Sequence, residues 1–135
     1  VVQHFALVPD MSIYDNVALP LTYRKMSKSD VKNRVMAVLE ELEIYDQKNK
    51  YPGELSGGQC QRAAIARAIV TEPRLILADE PTGALDGENG NMVMDILQKL
   101  NGKGITIIMV THDKELAQCA SRIIRMQDGY IYRNC

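Results

Sequence analysis

Two short apolar runs with one amphipathic helix between them constrain this chain more than any other feature. Leu75-Ile76-Leu77-Ala78 ends at Asp79, and Ile105 to Val110 is β-branched and carries no charge. Both read as buried strands. Residues 89–100 bring Met92, Val93, Ile96, Leu97 and Leu100 to helical spacing, with that stripe expected to face inward. Asn101-Gly102-Lys103-Gly104 ends the helix. A strand–helix–strand crossover makes its strands parallel and its connection right-handed. The fold class is therefore α/β. Parallelism has a chemical consequence. Asp79-Glu80 and Thr111-His112 follow the carboxyl ends of the two strands and emerge on one sheet edge. That edge is where open α/β sheets bind ligands.

The flanking segments are helical or turn-rich. Pro9, Pro20 and the run Ser12 to Asn16 suggest loops around a short helix within residues 1–26. Residues 28–44 place Val31, Val35, Val38, Leu39 and Leu42 on one helix face, and Ser27 with Asp30 fits a capping pattern. The charges at Lys32, Arg34, Glu40, Glu41 and Glu43 read as its solvated face. Tyr51-Pro52-Gly53 breaks the chain, and a helix is expected from Ser56 or Gly57 to about Val70, closed by Pro73. A short helix is expected at 113–120. Arg122 to Gln127 and Tyr130 to Arg133 read as a hairpin turning at Asp128-Gly129.

Composition narrows the classes. In 135 residues, 16 basic and 17 acidic side chains leave a net charge of −1, so no nucleic-acid partner is expected. An apolar content of 46% is ordinary for a globular domain and excludes a disordered chain. Ile105 to Val110 is the longest apolar-rich stretch, far too short to span a bilayer. Cys60, Cys119 and Cys135 form neither a disulfide framework nor a metal-binding spacing, and a reducing, cytoplasmic setting is the default. The chain starts Val1-Val2-Gln3 without an initiator Met, so a piece of a longer protein is the expectation.

Three places carry chemistry. Leu55-Ser56-Gly57-Gly58-Gln59 opens a helix, where free amides and glycine backbone suit a phosphate. Ser56 reads equally as an ordinary N-cap. Asp79 at a strand end is a natural Mg²⁺ holder, because Mg²⁺ prefers one or two carboxylates plus waters and phosphate oxygens. Glu80 beside it can orient or deprotonate a water. Taken alone, the pair reads as a solvated strand end. His112 lies at the same edge, within reach of a phosphate or water. His4 has no such context.

These residues resemble the motifs of ABC ATPases, in the family's order. Leu55 to Arg62 resembles the signature, Leu75 to Thr82 the Walker B strand with its glutamate, Ala84-Leu85-Asp86 the D-loop, Val110 to Asp113 the switch-histidine loop, and Gln3 the Q-loop. The resemblance covers essentially the whole chain. Ala78 to Asp86, with Asp15 to Leu21, is similar to the macrolide-export and lipoprotein-release branch, which also holds peptide-resistance ATPases and a cell-division pair.

The resemblance implies a fold that is the C-terminal portion of a P-loop NTPase domain. Residues 1–70 would form the Q-loop and helical signature subdomain. Residues 71–135 would form part of a RecA-like core with the Walker B strand, D-loop, switch histidine and C-terminal hairpin. It implies ATP and Mg²⁺ as cofactors and a head-to-tail dimer of ATPase subunits. Ser56, Gly57, Gly58 and Gln59 would bind the nucleotide held by the second subunit. Asp79 would hold Mg²⁺, Glu80 would polarise the attacking water and His112 would contact the γ-phosphate. Gln3 would sense Mg²⁺ and the water, and Asp86 would couple the two sites. A transmembrane permease would be the partner, contacted near Gln3 to Gln47, with the ATPase on the inner face of the membrane.

The chain departs from the family in one respect. It contains no G-x-x-x-x-G-K-[ST], so the phosphate-cradling loop is absent. The expectation is a chain lacking the domain's N-terminal part, catalytically inactive alone, and prone to self-associate or swap segments through unpaired strand edges. Two other readings compete. A chromosome or DNA-repair ATPase lobe would place a long coiled coil before the signature, and sustained heptads are missing here. A non-catalytic interaction fragment would supply only its signature face to a partner.

Overall fold

The computed structural model describes residues 5–132. Helix α1 is Ile13–Ala18, followed by a 3₁₀ segment at Leu19–Tyr23. Helix α2 is Lys28–Glu41 and α3 is Gly57–Ile69. Strand β1 (Leu75–Asp79), helix α4 (Gly87–Gly102) and strand β2 (Thr106–Val110) make the crossover. A single turn of helix, α5 (Lys114–Ala117), precedes the hairpin strands β3 (Arg125–Gln127) and β4 (Tyr130–Tyr132).

Side-chain caps set the helix starts. Ser12 Oγ accepts from the Asp15 amide at 3.1 Å, and Ser27 Oγ accepts from the Asp30 amide at 3.0 Å. Asp86 Oδ1 accepts from the Asn89 amide at 2.9 Å. Each cap satisfies one of the amides that a helix start leaves unpaired.

The ends of α2 and α4 share one device with different residues in it. At α4, the Gly104 amide donates to Asn101 O and the Ile105 amide to Leu100 O, with Gly104 at φ +98°. At α2, the Glu43 amide donates to Glu40 O and the Ile44 amide to Leu39 O, with Glu43 at φ +56°. Both are Schellman endings, which favour glycine at the left-handed position. This ending stops α2 at Glu41 rather than at residue 44, because buried Leu39 and Ile44 are brought together by the turn. The left-handed backbone costs a side-chain-bearing residue about 1–2 kcal/mol. Glycine's looser unfolded chain offsets about 0.4–1 kcal/mol of that. Glu43→Gly is therefore expected to leave stability unchanged or raise it by up to about 1 kcal/mol in urea titration, and a loss would contradict this account.

Strands β1 and β2 pair in parallel, as the crossover requires, in a register running from Leu75↔Thr106 to Asp79↔Val110. Strands β3 and β4 pair antiparallel around Asp128 (φ +51°) and Gly129 (φ +80°), the turn that Asp-Gly favours. The hairpin strands are shorter than expected, starting at Arg125 and ending within the described residues at Tyr132. The helix expected at 113–120 forms over Lys114–Ala117 alone.

One hydrophobic cluster runs through the helical part and the crossover. It joins Ile13 and Val17 of α1, Val35 and Leu39 of α2, Ile65 and Ile69 of α3, Ile76 of β1, and Val93, Leu97 and Leu100 of α4. Two expectations are corrected here. The strands are buried on one face only: Ile76 and Ala78 are enclosed, whereas Leu77 is 61% and Val110 59% exposed. The reason is the two-residue period of a strand, since α4 packs on one face and no described element covers the other. Along α4 the inward stripe is Val93, Met94, Leu97 and Leu100, and Met92 faces outward. At about 100° per residue, Met94 and Leu97 fall on either side of buried Gly90 on the packed face, while Met92 lies about 160° away from Met94.

Among the described residues, no helix is long and apolar enough to cross a membrane. The described cysteines are free; Cys60 is buried and Cys119 exposed. Burial pushes the Cys60 thiol up from its ordinary value. Maleimide labelling with peptide mapping should therefore modify Cys119 in the native protein and Cys60 only after denaturation. Native labelling of Cys60 would refute its burial.

Candidate nucleotide site

The carboxyl edge of the two-stranded sheet gathers three of the expected groups. The Glu80 amide donates to Val110 O at 2.8 Å, which carries the ladder one residue past the strands. Glu80 and Thr111-His112 thereby face each other. Glu80 Oε1 accepts from the His112 backbone amide at 2.8 Å and lies 2.6 Å from His112 Nδ1. Thr111 Oγ1 donates to Glu80 Oε2 at 3.2 Å. Thr111 Oγ1 also accepts from the Asp113 amide, fixing the start of α5.

The electrostatics follow from these contacts. Partial burial pushes the Glu80 carboxyl up, but the hydrogen bonds and charge of His112, with the Thr111 hydroxyl, outweigh it. The group therefore sits below its ordinary carboxylate value and is ionised at neutral pH. An ionised carboxylate only accepts, so the proton between the two rings of contacts resides on Nδ1 and His112 Nε2 is left for another partner. The His112 side chain is 85% exposed, so that nitrogen is accessible. Glu80 itself sits at φ +43°, a left-handed conformation that a non-glycine residue keeps only where its surroundings enforce it.

Asp79 closes β1 with an exposed side chain beside this cluster. Among the described residues no group of three or more His, Cys, Asp or Glu could hold a metal. That donor set suits a cation which takes one carboxylate and completes its shell with water and phosphate, as Mg²⁺ does. It does not suit an all-protein cage.

The start of α3 is built as a reciprocal cap. Ser56 Oγ accepts from the Gln59 amide at 3.3 Å, and Gln59 Oε1 accepts from the Ser56 amide at 3.0 Å. The N-cap reading of Ser56 is thus realised, and the Gly57 and Gly58 amides stand in the first turn of α3. The two glycines have separate steric reasons. A Cβ at Gly57 would lie 3.3 Å from Leu85 Cδ2, and one at Gly58 would lie 2.2 Å from Asn89 Oδ1. Asn89 is held there by Asp86, whose two carboxylate oxygens accept from Asn89 Nδ2 at 2.9 and 3.1 Å. Asp86 therefore caps α4 and seats its neighbour against α3.

No hydrogen bond joins Ser56–Gln59 to Glu80 or His112 among the described residues. The structure brings together Glu80, Thr111 and His112, with Asp79 adjacent, and separately Gly58 with Asp86 through Asn89. Gln3 and His4 lie outside the described residues, as does Cys135. Surface clefts of about 730 and 400 Å³ lie along α2 and α4 and contain none of these groups.

Three organising residues escaped the sequence reading. Buried Asn16 accepts from the Val8 amide and donates to the carbonyls of Val8, Met11 and Ser12, shaping the loop before α1. Arg67 donates to Ala6 O at 2.8 Å and Phe5 O at 3.3 Å, tying α3 to the first described residues. Fully buried Gln61 donates from Nε2 to Pro81 O at 2.5 Å. The available signal for Gln61 was its place on one stripe with Ala64 and Ile65, where an amide needs a partner.

Comparison with known proteins bears on the family. The family model for the ABC transporter matches residues 1–83. An ABC transporter ATP-binding protein of Methanocaldococcus jannaschii, MJ1508, is 50% identical over 129 residues, covering 96% of this chain and 58% of that protein. The macrolide export ATP-binding/permease protein MacB of Escherichia coli is 45% identical, over 96% of this chain and 20% of that protein. The dimeric structure of the cassette MJ0796 matches with a TM-score of 0.83 at 43% identity, over 97% of this chain and 59% of that chain. The same cassette has been solved in a post-hydrolysis state bound to ADP and Pi. The chain thus spans less than two-thirds of the relatives and structures it matches. With the parallel crossover, the acid–histidine edge and a family match over more than half its length, this chain belongs to the ABC transporter family.

Proposed function

We propose that these residues are the signature- and carboxylate-bearing portion of an ATP-hydrolysing subunit that powers a membrane permease of the macrolide-export or lipoprotein-release type. The observation that carries the reading is the oriented, ionised Glu80 held by Thr111 and His112 at the carboxyl edge of parallel strands. Residues 1–70 serve as the helical signature subdomain and 71–135 as part of the core, sharing one hydrophobic cluster. The nucleotide is ATP. Glu80 accepts a hydrogen bond from the attacking water and draws charge onto its oxygen. General-base help of this kind contributes about 10²–10⁴ in rate. His112 donates from Nε2 to the terminal phosphate when its ring carries a proton on each nitrogen, and Asp79 would hold Mg²⁺. Bound Mg²⁺ would neutralise charge developing on the phosphate oxygens. Gln3 senses the same site.

Ser56, Gly57, Gly58 and Gln59 serve the nucleotide of a second subunit, head to tail, a reading supported by their place at the start of α3, where helix-start amides suit a phosphate. Asp86 couples the two sites through Asn89 and Gly58. The permease draws the ATPase to the inner face of the membrane, with the segment following Gln3 as the contact. These 135 residues alone do not turn over ATP, because they contain no lysine-bearing phosphate loop. On their own they self-associate through the uncovered sheet face.

The test is Mg²⁺-dependent phosphate release by this chain, alone and joined to a segment that carries a G-x-x-x-x-G-K-[ST] loop, each beside Glu80→Gln. Turnover only with the phosphate-loop segment joined, and lost in Glu80→Gln, is the expected result. Turnover by the 135 residues alone would overturn the requirement for the phosphate loop.

A further inference from the structure

The side chain of Gln61 is an expensive way to fill a core position. It is fully buried, and its Oε1 has no hydrogen-bond partner among the described residues. An apolar side chain of similar volume would pack there without the cost of an unmet acceptor. What the amide does supply is one donor, to the carbonyl of Pro81, which is itself buried and directly follows Glu80.

That contact falls on a strained segment. Glu80 sits at φ +43°, and its carbonyl accepts from the Gly83 amide at 3.1 Å in the turn that follows. Residues in this conformation persist where independent contacts over-determine them. Two of the contacts come from the β2 side: Val110 O on the Glu80 amide, and Thr111 with His112 on its carboxylate. Gln61 restrains the same turn from α3. Five residues separate Gln61 from Ser56, about 7.5 Å along a rigid helix. A displacement of the helix start therefore reaches the Pro81 carbonyl with little loss.

We propose that Gln61 is a positioning residue that couples nucleotide contact at the start of α3 to the placement of the Glu80 carboxylate, by holding the Pro81 carbonyl. The inference rests on the reading of Glu80 as the water-polarising group. It predicts communication within one subunit between the two surfaces that serve different nucleotides.

The experiment uses the full-length protein that contains these residues. Gln61→Met keeps length and volume and removes the donor. A kcat at least tenfold lower, with KM for ATP within twofold and a melting midpoint within a few degrees, is expected. A purely structural role would lower the midpoint and leave kcat per folded molecule intact. If Gln61→Met does not fold, the side-chain amide of Gln61 is followed by NMR in Glu80→Gln, a non-hydrolysing background. Its resonances should be protected from exchange and should shift on adding ATP with Mg²⁺. A kcat within twofold of the parent, or an amide that does not respond to nucleotide, overturns the coupling. Glu80→Gln with full turnover would instead remove the reading beneath it, so the two failures are distinguishable.

Discussion

Glu80→Gln is expected to lower Mg²⁺-dependent ATP turnover of the full-length protein by about 10²–10⁴-fold while leaving its fold intact. The geometry makes this substitution unusually informative. Glu80 Oε1 accepts from the His112 amide and meets His112 Nδ1, and Oε2 accepts from Thr111 Oγ1. A glutamine can place its carbonyl oxygen where Oε1 is and keep both histidine contacts. Its amide nitrogen then faces Thr111 Oγ1, a hydroxyl that can accept as readily as donate. Shape and hydrogen bonds survive; charge and basicity do not. Phosphate release by stopped assay, read beside a thermal melt, separates the two. Loss of turnover at an unchanged melting midpoint assigns the deficit to chemistry. Turnover within tenfold of the parent would mean that Glu80 is not the group acting on water.

Gly58→Ala is expected to destabilise the protein by about 1–3 kcal/mol, although alanine is the better helix former by about 1 kcal/mol. The added Cβ would lie 2.2 Å from Asn89 Oδ1 and 2.8 Å from Asn89 Cγ. Asn89 has little room to yield, because Asp86 grips its side-chain amide with both carboxylate oxygens. Either α3 parts from α4 or the Asp86 cap breaks. The double substitution Gly58→Ala with Asn89→Ala removes the obstacle, and urea titration should return most of the lost stability. The coupling energy between the two positions is the decisive quantity, since contacting residues are non-additive. Additive effects would mean that Gly58 is glycine for its backbone toward a phosphate and not for this contact. At Gly57 the nearest atom is Leu85 Cδ2 at 3.3 Å, a softer neighbour, so Gly57→Ala should cost less.

Local chemistry along the chain determined most of the elements and the edge on which the candidate groups meet. The apolar runs at 75–78 and 105–110, the single helix between them, and the handedness of crossovers were enough to make β1 and β2 parallel. Once they were parallel, Glu80 and His112 had to share an edge. Asp128-Gly129 specified its turn, and Ser27 and Ser56 marked helix starts through hydroxyls that reach amides three residues on. All of these act between residues close in sequence or through a backbone period, so they can be read without a fold.

The tertiary structure decided what depends on neighbours far apart in the chain. Which strand face is covered was not legible, because an all-apolar strand looks the same on both sides until α4 packs on one. Met94 rather than Met92 turns inward because α4 must face both α3 and the sheet, and that sets its rotation. The left-handed Glu43 is tolerated because buried Leu39 and Ile44 close the end of α2. Gln61 and Asn16 could not be assigned roles from composition, since a polar residue on an apolar stripe acquires meaning only when its partner is known. For Gln61 that partner is a carbonyl on the far side of β1, brought within 2.5 Å by packing alone.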